Sequence, residues 1–175
     1  MPGRRHSSAA FGRNTRPPRT YTTGHATNWI RHITLVTAAV ITVGLLVRYP
    51  SLPDTIPIHF GFSGQPDAWG PKTSVFMLVG IFTVMIGGIT WLSHYPRSFN
   101  YIGEFTEENA QAMYRAGEQL IVWVNAACAL IYLGIALMVA VSPNGAFFVT
   151  LGLIAIVTAM IAGIARMLRA SSRGV

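Results

Sequence analysis

Long apolar runs alternate with short polar stretches along the chain. The run HITLVTAAVITVGLLV lies between Arg31 and Arg48, and a second uncharged stretch from Lys72 to Arg97 has an apolar core over 75–92. A third, from Glu118 to Arg166, is too long for one span and is broken by Ser142-Pro143-Asn144-Gly145, a strong turn signal. Crossing a bilayer core of ~30 Å takes about 20 apolar residues in a helix. The pattern predicts an all-α integral membrane protein with four transmembrane helices, over 29–47, 74–92, 120–141 and 146–168. A water-soluble four-helix bundle needs a polar face on every helix, and 146–165 offers only Thr150, Thr158 and glycines.

Composition strengthens this reading. Of 175 residues, 51% are hydrophobic and 11% charged, where soluble domains carry about 25% charge. The single cysteine, Cys128, excludes an intrachain disulfide and a cysteine-cluster metal site. Charge also sets an orientation. Eleven of the 13 basic residues lie on the N-terminal tail, the middle loop and the C-terminal end, and only Arg48 and Lys72 lie on the first loop. The positive-inside rule then places both termini in the cytoplasm. Trp29, Trp91 and Trp123 fall at the cytoplasmic interface in that arrangement, where amphipathic rings favour the headgroup level.

Residues 1–28 carry arginines, Ser, Thr and Pro17-Pro18 without one acid, and form an expected disordered basic cytoplasmic tail. Its arginines (Arg4, Arg5, Arg13, Arg16 and Arg19), with Arg31 just beyond it, suit anionic lipids, though setting topology alone would explain them. No aromatic platform accompanies the charge, so no nucleic-acid partner is expected. No small-residue cleavage site follows the first apolar run, so a secretory signal peptide is not expected. Residues 169–175 form a short basic C-terminal tail.

The first loop, YPSLPDTIPIHFGFSGQPDAWGPK, is the most distinctive stretch. Its prolines and glycines exclude a helix. Ile56, Ile58, Phe60 and Phe62 alternate with Pro57, His59 and Gly61, as in a short extended segment, and Gly61, Gly64 and Gln65-Pro66-Asp67 supply turn chemistry. So apolar a loop should fold back as an outer cap on the helix ends, with Trp69 at the interface. Tyr49-Pro50, Leu52-Pro53, Ile56-Pro57, His59, Gly64, Pro66-Asp67, Trp69 and Lys72 together resemble the signature of bacterial membrane proteins containing domain of unknown function 1648. The likeness extends more loosely to Phe99-Asn100-Tyr101 and to Thr106-Glu107-Glu108-Asn109 with Tyr114, so the module covers about 49–114. The same module occurs in proteins similar to the Sdp-type immunity protein, which protects producing cells from a secreted toxin. Ile102 stands where that pattern expects a proline, and immunity-type relatives are longer. The resemblance implies a multi-pass protein of the bacterial plasma membrane with no established reaction.

The loop also holds the candidate site residues His59, Asp67, Trp69, Lys72 and Asp54. Asp54, His59 and Asp67 could offer oxygen and nitrogen ligands to zinc, but one histidine at irregular spacing is a poor set, so no metal or other cofactor is expected. The plainer roles are turn caps for the aspartates, a backbone carbonyl partner for His59, and either a salt bridge or an interface position for Lys72. In the second loop Thr106 is a good helix N-cap with Glu107 and Glu108 in the first turn. Ala110, Met113, Gly117 and Leu120 then recur at helical spacing, so a cytoplasmic helix from Glu107 is expected to run into the third span. A cation site at Glu107, Glu108 and Asn109 is the sharper alternative.

Small residues permit close helix approach in lipid. Thr34, Ala38 and Thr42 form one row, Ala155, Ala159 and Gly163 another, and Gly80 and Gly88 a third. Asn125 is placed to bond across to a threonine.

No acid or base lies in the middle of a predicted span, which argues against a proton-coupled transporter. The chain lacks a nucleophile elbow, a phosphate loop and a paired-histidine motif. The expected function is non-enzymatic: an outer loop that recognises a peptide, a lipid or a partner membrane protein. The alternative is a small accessory subunit of a larger membrane complex.

Overall fold

A computed structural model describes residues 16–61, 64–140 and 145–172. The expectations for 1–15, for the turn residues Ser142, Pro143 and Asn144, and for 173–175 lie outside the described residues. Among the described residues four helices are long and apolar enough to cross a membrane: α1 (His25–Arg48), α2 (Ser74–Leu92), α3 (Ala110–Ala140) and α4 (Gly145–Ser171). A short antiparallel hairpin, β1 (Thr55–Phe60) and β2 (Pro66–Pro71), stands between α1 and α2.

The all-α expectation is therefore corrected to mostly helical, with one hairpin. Strand β1 follows from the alternation around Ile56. Strand β2, PDAWGP, has the composition that strands avoid. Its prolines are tolerated because each strand of a two-stranded ribbon has an unpaired edge. Gly64, at φ +75°, closes the turn in a conformation that favours glycine.

Helix α2 has the expected bounds, while two others are longer: α1 begins at His25 rather than residue 29, and α4 runs to Ser171 rather than 168. α3 has 31 residues, ~46 Å at 1.5 Å per residue. That exceeds a bilayer core, so the cytoplasmic segment and the third span expected from sequence form one continuous helix. Its start is at Ala110 because Thr106 and Asn109 cap one another. The Asn109 N–H donates to Thr106 Oγ1 at 3.3 Å, and the Thr106 N–H donates to Asn109 Oδ1 at 2.9 Å.

The central helix is α3, which packs on each of the other three. Its approach to α4 is closest at glycines. A Cβ on Gly134 would lie 2.6 Å from Val149 Cγ2, and one on Gly152 would lie 2.5 Å from Ile131 Cγ1. Of the row Ala155, Ala159 and Gly163, Gly163 is buried against Leu120, whereas the two alanines are half-buried. Thr34 and Ala38 are buried, but Gly80 and Gly88 have no neighbour within 4 Å of an added Cβ. The third small-residue row is thus corrected: those glycines face open space. The main apolar core gathers Ala38, Ile41, Leu45, Ile86 and Tyr132, and continues to Leu52, Ile56 and Val75 under the hairpin.

Both ends of the described chain lie at one end of the bundle, here called the basal end. There Ser171 Oγ accepts from the Glu104 N–H at 2.7 Å, and Arg16 reaches Phe99. The opposite, hairpin end carries β1 and β2.

Candidate functional site

The hairpin is seated on the bundle by one side chain and clamped by one ion pair. Ile56 is 2% exposed and packs with Leu52 and Val75. At the hairpin root, Lys72 Nζ lies 2.9 Å from Asp54 Oδ1, and the Lys72 N–H donates to the Asp54 carbonyl at 2.9 Å. The ammonium holds the Asp54 carboxyl below its ordinary range, and the carboxylate holds Lys72 above its own. Lys72 forms the salt bridge expected of it.

His59 and Asp67 meet nearer the turn. Register shifts on either side of His59 bring it opposite Ala68, and His59 Nδ1 lies 2.5 Å from Asp67 Oδ1. The expected backbone carbonyl partner of His59 is thus replaced by a carboxylate. Asp54 and Asp67 sit at opposite ends of the ribbon, so the three possible ligands do not converge. Among the described residues no group of three His, Cys, Asp or Glu side chains could hold a metal. Trp69 is 59% exposed on the hairpin's outer side.

Beneath this ribbon lies a cleft of about 780 Å³. Its roof is Ile56 to Gly61 with Asp67, its back wall is Ile135, Met138 and Val139 of α3, and its sides come from α2 and α4. Leu78 and Ile81 line one side, Val149 and Leu153 the other. The cleft exists because α2 and α4 scarcely touch; both lean on α3 instead. Exposed Met77, Ile81 and Leu153 leave its front open. From Ser74 to Ile81 it descends ~10 Å along the helix. The volume is that of a small-molecule pocket, and the lining is apolar with a few polar groups at the lip.

A second polar assembly, at the basal end, was not foreseen. Glu118 of α3 is 1% exposed. Arg31 Nη2 donates to its Oε1 at 2.7 Å, Thr23 Oγ1 donates to the same oxygen at 2.8 Å, and Tyr21 OH donates to Oε2 at 2.6 Å. Arg19 lies 3.4 Å from Oε2 and also donates to Thr23 Oγ1. Arg31 Nε continues to Ser93 Oγ at 3.0 Å, and Ser93 Oγ to the Thr90 carbonyl at 2.6 Å. Asn125 Nδ2 donates to Thr90 Oγ1 at 2.8 Å, the threonine contact expected of it. Burial, and then the Glu118 hydrogen bond, push the Tyr21 phenol well above its ordinary pKa.

These contacts correct the tail expectation. Residues 16–24 are ordered against the bundle, and Arg16, Arg19 and Arg31 face protein groups instead of lipid. The signal available in the sequence was Glu118 itself, an acid at the mouth of an apolar run whose one basic neighbour at helical spacing is Arg115, three residues before it. Nothing local paired it with residues 87 to 99 positions distant.

Comparison with known proteins bears out the family resemblance of the first loop, over a range that begins earlier and ends sooner than the expected 49–114. The family described as domain of unknown function (DUF1648) matches residues 35–83, spanning most of α1, the hairpin and half of α2. An uncharacterized protein of Archaeoglobus fulgidus is 29% identical over 90 residues, covering 43% of this chain and 49% of the relative. The chain thus spans about half the length of the curated relative it matches. No solved structure matches the chain.

Proposed function

We propose that this is a non-enzymatic multi-pass membrane protein whose hairpin end binds the apolar tail of a bilayer amphiphile in the cleft between α2 and α4. The observation that carries the reading is the cleft: apolar inside, open between α2 and α4, and roofed by a ribbon that sets His59 and Asp67 at its lip. The tail would lie along Leu78, Ile81, Val149 and Leu153, and the polar head would meet the His59–Asp67 pair. With both termini in the cytoplasm, as the arginine distribution favours, the hairpin samples the outer leaflet of the plasma membrane. Of peptide, lipid and partner protein, this choice fits a cleft whose open side is bounded by helix faces that cross the membrane.

The test is photo-crosslinking in vesicles containing phosphatidylethanolamine with a diazirine in one acyl chain. Adducts should concentrate on Leu78, Ile81, Val149 and Leu153 and disappear when Val149→Trp fills the cleft. Adducts spread evenly over the outward faces of all four helices, including Val36 and Val40 of α1, would overturn the reading. A stable heteromeric complex after gentle extraction, with no cleft adduct, would favour the accessory-subunit alternative.

A further inference from the structure

Residues 16–24 are laid across the basal end in the manner of a bound peptide. Pro17 and Pro18 fix φ near −65°, and each disfavours helical backbone in the residue before it, so the segment is held extended. Its backbone is read as a ligand backbone is read. The Gln111 amide bonds it twice, donating Nε2 to the Pro18 carbonyl at 2.8 Å and accepting the Thr20 N–H on Oε1 at 2.8 Å. Tyr114 OH donates to the Pro17 carbonyl at 2.9 Å, and Arg97 Nη2 to the Arg16 carbonyl at 2.7 Å.

Side-chain recognition is equally defined. The Arg16 guanidinium lies over the rings of Tyr101 and Phe105, 5.3 and 4.9 Å from their centroids. Its Nη1 donates to the carbonyls of Phe99 and Arg97 at 2.6 and 2.8 Å. Arg19, Tyr21 and Thr23 close on Glu118. Extended proline segments flanked by arginine are a recurrent ligand for aromatic grooves, because a pre-extended chain loses little entropy on binding. The groove here is built on α3 and the loop before it, and residues 16–24 are joined to the bundle proper only through the start of α1.

We infer that the aromatic groove of Tyr101, Phe105, Gln111 and Tyr114, with Glu118 at its end, is a binding site for an extended Arg-Pro-Pro-Arg segment. The chain's own residues 16–23 occupy it in cis, and a proline-arginine segment of another protein takes it in trans when that strap is released. The site is separate from the cleft under the hairpin and does not rest on the function proposed for it.

A fluorescent peptide of sequence RPPRTYTT tests this against the full chain in nanodiscs of neutral lipid. The strap is weakened without touching the groove by combining Arg16→Ala, Arg19→Ala and Tyr21→Phe, which leaves Arg31 on Glu118. The peptide should bind this variant about ten-fold or more tighter than the natural chain, whose strap competes at high effective concentration. Adding Gln111→Ala and Tyr114→Phe should abolish that gain. Should the triple variant not fold, a protease site inserted after Gly24 releases the strap from protein already folded, and the titration is repeated before and after cleavage. Equal binding with the strap in place or released overturns the inference. So does binding that survives the groove substitutions, or binding that needs anionic lipid.

Discussion

At the hairpin end, paired polar side chains stand in water; at the basal end, they are sealed in. The side chains of Asp54 and Asp67 are 93% and 52% exposed, against 2% for Glu118 and 7% for Arg31. An exposed pair adds little to stability, because water and salt screen it. A buried one is different in kind: its net value against an apolar replacement is small, but removing one partner strands a charge at high cost. The hairpin end thus carries the recognisable motif and depends on Ile56 and helix packing for its position. The basal end carries no motif and depends on one carboxylate.

Glu118→Ala should expose this asymmetry most. It leaves Arg31 buried without its carboxylate, at an expected cost of ~3–5 kcal/mol, read as a lowered unfolding midpoint in mixed micelles. An unchanged midpoint would end the contrast between the two ends. Gly134→Ala comes next. Its new methyl meets Val149 Cγ2 at 2.6 Å and the Gly145 carbonyl at 2.7 Å, and overpacking of this kind costs ~1–3 kcal/mol. The loss should show in the α3–α4 pair while the strap keeps its protection from hydrogen exchange. Tyr114→Phe removes one hydrogen bond to the Pro17 carbonyl, worth about 1 kcal/mol, and should speed proteolysis within 16–24 without shifting the global midpoint.

The smallest effect belongs to Asp54 and Lys72. The lowered Asp54 contributes above the ordinary carboxylate range and loses its contribution as pH falls through its own pKa. The raised Lys72 contributes below the ordinary lysine range and loses its contribution as pH rises through its own. The clamp should therefore persist between ~pH 4 and ~pH 10. Carboxyl NMR of Asp54 checks this, and Asp54→Ala should leave the unfolding midpoint where it was.

The four helices were legible because hydrocarbon imposes a length and an apolar content that a sequence cannot hide. Their basal boundaries were less so. His25 and Ala110 open helices in polar sequence, the first with no side-chain cap and the second behind the reciprocal bonds of Thr106 and Asn109. Ile56 announced β1 by alternation, but β2 is held by pairing with β1 in spite of its composition. A salt bridge for Lys72 could be read from the loop, but its partner Asp54, expected as a turn cap, could not; nor could His59 with Asp67, since the register shifts around His59 decide which face it takes. The strap was hidden for a related reason. An arginine-rich, acid-free segment looks solvated until the carboxylate and rings that receive it are brought from a hundred residues away.

The distance from Arg31 to Glu118, 87 residues, also has a meaning in time. A ribosome delivers α1 and α2 long before it delivers Glu118, near the start of α3. Throughout that interval the guanidinium at the edge of the first helix has no carboxylate, and α1 with α2 forms an incomplete pair. Commitment to the finished bundle falls at the arrival of the third helix, so a chain halted before it presents an unneutralised arginine that distinguishes it from the completed protein.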